Sequence, residues 1–582
     1  MPNEEGYELR TPLRGEDDEP LLPRYERTTH SDSSHHTSHA QQLSRQLEIR
    51  RHSRFRRAVS CLCLALFIVI PSFGLAGCWF GREAINRAKQ WEQLPEEWKS
   101  WLNQIAPGKA APDPGNFPVD VGYAGPTPTG NEANLMATAP SLPMFTGVSP
   151  LVPPDSARGS FNIMQYWGNL SPYFSVDSHG LPEAQRVTPE TCQVESLHWL
   201  QRHGARYPTT MPGGPEGFAR RMREVSGWEA HGDLSFLNDY TYQLGREILT
   251  PFGRQQLFNL GVAARLKYGH LLEKMNGRLP VFRTESQDRM LRSAQNFATG
   301  FFGYPAESQY NLEVMIESPG FNCSLAPWGA CDLSYDDSQR SGWEKMHAWE
   351  NVFLEDARER LNGLITGYDF SIADVADMMD TCAYETVALG YSSFCTLFTV
   401  REWRGYEYRN DISWWYTASF GWPYAKPLGK AWLQELVSRL THTRITDFDS
   451  AINSTLHDDI HFPLNDVLHF DFTHDTLFAI LLSAMNLTTF AESGDPPVDR
   501  MPKHRSFIAA KCVRFPFIQV LSCTDQAAKQ IRLIWNDAPV PLVGIRNCPD
   551  DEEGLCPLET FVAGLQELID ETDFQAACGP KS

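Results

Sequence analysis

The first 57 residues are polar, rich in Arg, Ser and His, and show almost no hydrophobic periodicity. Such a stretch cannot bury enough apolar surface to offset its ordering entropy, which predicts a disordered tail. Residues 58–80, AVSCLCLALFIVIPSFGLAGCWF, then run for 23 positions without a charge. That is long enough to cross a bilayer as one helix, and a membrane helix tolerates the Pro inside it. Residues 81–157 predict one or two short helices followed by a Pro-, Gly-, Ala- and Thr-rich stalk or linker. A folded domain is expected over residues 158–578. VESLHWL has the content of a buried strand, and LPVFRT reads as another. LTPFGRQQLFNLGVAARL predicts a helix with Thr250 as N-cap, Pro251 at its first position, and Leu257, Leu260 and Ala263 along one face. SQDRMLRSAQNFATGFF predicts a second helix. Residues 305–455 carry many Trp and Tyr in short helical patterns. The end returns to strands in DVLHFDFT, IAAKCVRFPFIQVL and QIRLIWNDAPVPLV. Strand–helix alternation around a helical middle predicts an α/β core with a mostly helical insertion.

Charge orients the span. The fifteen residues before it carry Arg45, Arg50, Arg51, Arg54, Arg56 and Arg57, and the fifteen after it only Arg82, Arg87 and Lys89. The positive-inside bias puts the tail in the cytosol and the domain in the lumen or outside the cell. A polar segment of 57 residues is too long for an ordinary cleaved signal, so the span reads as an uncleaved signal anchor. HSDSSHHTSH carries metal-ligating side chains, but its surroundings read as solvated tail. The chain has 72 acidic against 51 basic residues, a formal charge of −21. That balance excludes non-specific nucleic-acid binding and makes a local basic cluster stand out.

Of thirteen cysteines, Cys61, Cys63 and Cys78 lie in the span. The ten beyond it suggest up to five disulfides in a non-cytosolic domain. Glycosylation acceptors at Asn169, Asn322, Asn453 and Asn486 lie on the same side of the span.

The candidate chemistry sits in LHWLQRHGARYPTT, residues 197–210, where an apolar run ends in Arg202, His203 and Arg206. Two guanidiniums can donate forked hydrogen bonds to tetrahedral oxygens. Gly204 would let the backbone approach an anion. An imidazole between two cations is held neutral, with the lone pair a nucleophile needs. Together with WGNLSPYF, LTPFGRQQL, FRTESQDRMLRSAQNF and DFTHDT, the motif RHGxRxP resembles that of the histidine acid phosphatases, in particular their fungal phytase-like branch. The resemblance runs from about residue 160 to the last cysteine.

The resemblance implies a phosphoglycerate-mutase-like α/β sheet with helices on both faces, and hydrolysis of phosphomonoesters without a metal or other cofactor. It implies His203 as nucleophile, Arg202, Arg206 and Arg283 as phosphate-binding cations, His474 as a further phosphate ligand and Asp475 as general acid. The chain holds two His-Asp dipeptides. His457-Asp458 lies among polar residues, whereas His474-Asp475 follows a strand-like run, which selects Asp475. The disulfides implied are Cys192–Cys523, Cys331–Cys578, Cys382–Cys395 and Cys548–Cys556. Cys323 and Cys512 have no place in the family pattern and are expected to pair with each other.

The match departs from the family in two places. Phytases of this branch carry a lysine-rich stretch after the signature, where this chain has TTMPGGPEGFARRMREV, with Arg220, Arg221 and Arg223 on an expected helix. Secreted phytases also lack the membrane span. The partners expected are a small phosphate ester and one membrane, with phytate in question as substrate. A catalytically silent membrane protein that uses the same fold as a phosphate-ligand sensor is the alternative. It has no need of both a nucleophile and an acid.

Overall fold

In the computed structural model the described residues are 161–210, 213–331, 337–512 and 515–579. The expected tail, span, stalk and domain start at 158 lie outside them, with Cys61, Cys63 and Cys78. Among the described residues no helix is long and apolar enough to cross a membrane.

Ten strands form two sheets: β1 (Cys192–Arg202), β2 (Glu229–Ala230), β3 (Val281–Glu285), β4 (Asn311–Met315), β5 (Ile365–Thr366), β6 (Leu468–Thr473), β7 (Pro516–Cys523), β8 (Gln530–Trp535), β9 (Ala538–Pro539) and β10 (Leu555–Pro557). The main sheet is ordered β10-β8-β7-β1-β6-β3-β4, with β9 on β8, while β2 and β5 pair separately. β1, β6, β3 and β4 run parallel, and β7, β8 and β10 are antiparallel additions. All six residues of β6 and all five of β3 are buried, as expected for strands covered on both faces.

The helices are α1 (Gly214–Glu224), α2 (Pro251–Tyr268), α3 (Asp288–Phe302), α4 (Asp337–Phe353), α5 (Glu355–Asn362), α6 (Ile372–Leu389), α7 (Val400–Ala418), α8 (Ala425–Thr441), α9 (Asp475–Ala484), α10 (Ala509–Cys512), α11 (Leu558–Asp570) and α12 (Phe574–Cys578). Side chains alternate across the sheet. Leu197, Trp199, Phe282, Phe470 and Phe517 pack with α2 and α3, whereas Leu200, Ile518, Val520, Ile531 and Leu533 pack with α8, α9 and α11. The helix starts carry their own chemistry. Thr250 Oγ1 accepts from the Gly253 amide at 3.0 Å, as expected, and capping boxes start α6 at Ser371 and α7 at Thr399.

A third core joins Phe218 of α1, Leu354, Met378 and Met379 of α6, and Trp403 and Tyr406 of α7. The helical subdomain is therefore not simply residues 305–455. It draws in α1, while β4 belongs to the sheet and α8 to the layer beneath it. Two strand expectations also change. IAAKCVRFPFIQVL splits into α10 and β7. QIRLIWNDAPVPLV turns at Asn536 and Asp537, with φ of 47° and 65°, into β9. Asn and Asp tolerate that left-handed pair, which suits a tight hairpin.

Four disulfides join the pairs that the resemblance implies. The fifth does not form, and Cys323 and Cys512 are free buried thiols. Cys512 Sγ donates to the Ile508 carbonyl at 3.1 Å within its own helical turn. Burial pushes both thiols well up, so each stays a small protonated core group.

Candidate active site

The parallel pairing brings the chemistry to one edge. Arg202 ends β1 in register with Thr473, the last residue of β6, so His203 and His474-Asp475 leave adjacent strand ends together. β3 lies on the other side of β6 and leads through Glu285 into α3. Strand carboxyl ends beside helix N-termini are where open α/β sheets hold ligands, and where backbone amides favour an anion.

His203 Nδ1 lies 2.8 Å from the Gly204 carbonyl, which can only accept, so Nδ1 carries the proton and Nε2 keeps the lone pair. Burial, then Arg202, Arg289 and Arg206, hold its pKa well below the usual histidine range. The His203 imidazole is therefore held in its neutral form. Gly204 serves packing rather than anion approach. A Cβ there would lie 2.3 Å from the Gly253 carbonyl, and a Cβ on Gly253 would lie 1.9 Å from that of Ala205. These two glycines seat the loop on the start of α2.

Arg202 is buried and pairs with Asp475 Oδ2 at 2.9 Å, and the Asn169 amide donates to the same oxygen at 3.0 Å. Burial pushes the Asp475 pKa up, but Arg202, the Asn169 hydrogen bond and Arg206 outweigh it, leaving it below the ordinary value. Arg206 donates to the Tyr207 carbonyl at 2.9 Å and reaches the Tyr384 hydroxyl of α6 at 3.5 Å. Asp458, the other candidate, is exposed and accepts from the Ile460 and His461 amides, as a loop cap does.

Arg283 is not part of the cluster. It is buried against Asp471 at 2.8 Å and Glu435 at 2.8 Å, and Arg439 shares the same Asp471. Its Nε and Nη2 donors are taken by those carboxylates. Arg289, in the first turn of α3, takes the place expected for Arg283: it depresses the His203 pKa and pairs with Glu247 at 3.0 Å. The Nε groups of Arg202, Arg206 and Arg289 are all buried without a hydrogen-bond partner. Burying three such donors is costly unless an anion completes them.

His474 contacts carboxylates through Nε2, Glu285 at 2.7 Å and Glu317 at 3.0 Å, and its ring lies 5.4 Å from that of His203. Burial lowers its pKa, but the two glutamates outweigh this and raise it to about 9. Asn169, Leu170, Ser171, Gln256, Ala383, Tyr384 and Val387 line the adjoining pocket with Arg202 and Arg206. Asn169 thus lies inside the pocket and is not an available glycan acceptor. Asn453 is only 7% exposed, and the Asn486 amide donates to the Gly544 carbonyl at 2.6 Å, so neither presents a free amide. Sequence reasoning missed Arg289, Asn169, Glu247, Glu285, Glu317 and Tyr384. Arg289 alone left a local signal, a cation in the first turn of a helix that follows a core strand.

A neutral buried imidazole among three guanidiniums with spare donors, beside a carboxyl group, defines a phosphoryl-transfer site. The model of the histidine phosphatase superfamily (branch 2) matches residues 193–515, and the chain belongs to that family as a phytase-like phosphomonoesterase. It is 32% identical over 426 residues to Phytase A of Aspergillus oryzae, covering 69% of this chain and 88% of that protein. It is 30% identical over 439 residues to Phytase A of Penicillium oxalicum, covering 72% and 92%. The crystal structure of the phytase from D. castellii has the same fold, with a TM-score of 0.61, 24% identity, and coverage of 76% of this chain and 93% of that one.

Proposed function

We propose that the protein hydrolyses phosphomonoesters through a phosphohistidine intermediate. The observation that carries this reading is the neutral His203, with Nδ1–H tied to the Gly204 carbonyl, among three guanidiniums with spare donors. His203 Nε2 forms the N–P bond as the ester O–P bond breaks. Asp475 gives its proton to the leaving oxygen. Arg202, Arg206, Arg289 and His474 hold the phosphoryl oxygens, where charge accumulates. Water then attacks phosphorus, loses a proton to Asp475 and releases phosphate, restoring neutral His203.

The resting ion pair bears on the pH at which this runs. In the free enzyme Asp475 is ionised on Arg202. A phosphoryl dianion takes Arg202 for itself and leaves Asp475 beside negative charge, which raises its pKa. The acid form needed for transfer is then reached in mildly acidic solution.

Two cations that follow the signature are paired within the protein, and among the described residues only Arg202 and Arg206 line the pocket as cations. Arg221 is bound to Asp374 and Asp377 of α6, both at 2.7 Å, and Arg246 to Glu216. Simple alkyl and aryl monoesters are therefore better substrates than phytate. On such esters His203→Ala should lower kcat by at least about 10³-fold. Asp475→Asn should slow alkyl phosphates far more than activated aryl phosphates. Equal activity of wild type and His203→Ala overturns the mechanism.

We also infer that residues 58–80 anchor the chain, with the domain lumenal or extracellular. The sequence pattern and the four disulfides support this reading. Deleting 58–80 should leave the enzyme intracellular and in the soluble fraction. Continued co-sedimentation with membranes after high-salt and carbonate washing would argue against it.

A further inference from the structure

Glu285 and Glu317 are two buried carboxyl groups that the mechanism above leaves unused. Glu285 ends β3 with no exposure, and Glu317 follows β4. Each has an oxygen within 3.0 Å of the same nitrogen, His474 Nε2. The three donor atoms lie within 4.8 Å of one another. One N–H cannot serve two carboxylates well, and two adjacent buried carboxylates repel. Such a pair keeps one proton between its members, as close carboxyl groups do. The other groups facing Glu285 are Arg289, from the first turn of α3, and the Cys323 thiol.

We propose that Glu285 and Glu317 act as a carboxyl–carboxylate clamp that keeps His474 an imidazolium, with Nε2–H held by the clamp and Nδ1–H left for a phosphoryl oxygen. Glu285 is thereby a positioning residue for the transfer site, and the proposal rests on the phosphatase reading above. The directions of the titration shifts agree. Burial raises Glu285 against the pull of His474, while His474, through charge and hydrogen bond, outweighs burial and lowers Glu317. The arrangement carries three consequences. At acidic and neutral pH the cluster is neutral overall, with one proton on the imidazole ring in excess of its neutral form and one shared by the carboxyl groups. The nitrogen that meets the phosphoryl group is a charged donor, stronger than a neutral imidazole N–H. And His474 stays charged beyond the range in which an ordinary histidine has lost its proton.

Glu285→Gln tests this, because it keeps the volume and can still donate to Glu317 but cannot carry charge. While the pair keeps its shared proton, wild type and variant each face His474 with one negative charge. Above about pH 8 the wild-type pair gives that proton up and presents two, so in the variant His474 should lose its proton at lower pH. The probe is sulfate, a tetrahedral oxyanion that stays a monomeric dianion over the range, bound by calorimetry to the full-length chain from roughly pH 5 to 9. Near pH 5 the variant should bind within about threefold of wild type, and near pH 8.5 about tenfold more weakly. NMR of ¹⁵N-labelled histidine should show His474 neutral in the variant at the higher pH and charged in wild type. Glu317→Gln should move both readouts the same way. Equal weakening at every pH would indicate packing alone and overturn the clamp, as would a His474 that is neutral in the wild type at pH 7. Failure of wild type to bind sulfate at any pH would instead overturn the phosphatase reading itself. Matched melting curves for wild type and variants establish that the comparison is between folded proteins.

Discussion

At the scale of single residues the arginine inside β3 and the one just after it separate charge for folding from charge for chemistry. Arg283 and Arg289 are six positions apart and both buried. Arg283 Nε and Nη2 are engaged by Asp471 and Glu435, whereas Arg289 Nε has no partner. Removing Arg283 breaks a buried ion pair and leaves Asp471 on Arg439 alone and Glu435 on His457 and Ser324, a loss of about 3–5 kcal/mol. Arg283→Ala should therefore lower the melting temperature sharply. Arg289→Ala should leave the melting temperature nearly unchanged and lower kcat/KM by about 10²-fold or more. Thermal melts and steady-state assays on both variants separate the roles, and a KM defect in folded Arg283→Ala would return it to the site.

The same pair shows how far local sequence reaches. RHGARYP and HD announce themselves because several residue types stand together at a strand end. The choice of Asp475 over Asp458 was legible because one follows an apolar strand and the other polar residues. The third arginine was not legible in the same way, because Arg283 and Arg289 both adjoin β3, and only the tertiary position of Asp471 and Glu435 tells them apart. Asn169, Glu317 and Tyr384 reach the site from segments far away in sequence, so no spacing rule could have found them. The sequons did not reveal that the Asn169 and Asn486 amides are engaged within the fold, because three-residue patterns say nothing about what an amide touches.

At the scale of elements the legible parts are those with local causes. Thr250 and Pro251 start α2 through capping and a fixed φ, and the apolar runs of β1, β3 and β6 follow from burial on both faces. The limits of the helical subdomain were less legible, since α8 looks like its neighbours in sequence and differs only in packing against α9. The disulfide between Cys192 and Cys523 joins β1 to β7 across a register that already pairs these two residues. It locks the strand that carries Arg202, at the end away from the chemistry. The unpaired Cys323 and Cys512 show that an even cysteine count bounds the number of bridges without determining it.

At the scale of the whole molecule the interior is built for acid. Burial pushes Glu313 of β4 up to about 7 against Arg283, and Glu385 of α6 up to about 7 against hydrogen bonds from Ser392 and Tyr240. Each binds its proton more tightly folded than unfolded. Their stabilising contribution is thus complete below about pH 4 and is lost as pH rises through about 7. Glu435 is the opposite case. Arg283 and His457 outweigh burial and hold it at about 2, so its contribution persists well into acid. Buried His179, His198 and His469, held below the usual histidine range, act the other way below about pH 6.5, so melting temperature should fall chiefly between about pH 6.5 and pH 8, with a shallower fall in Glu385→Gln. A melting temperature that rises steadily over that range would contradict this account.

The contact between Arg206 and Tyr384 has a consequence for how such an enzyme can diversify. The reacting groups come from strand ends and the helix starts beside them, whereas Ala383, Tyr384 and Val387 line the pocket from a single helix of a separately packed subdomain. Those positions share one stretch of α6 and are free of the pairing constraints that bind the sheet. Drift there can change which alcohol the phosphate is attached to while the transfer step is inherited intact, so lineages of this fold can part company in diet before they part company in chemistry.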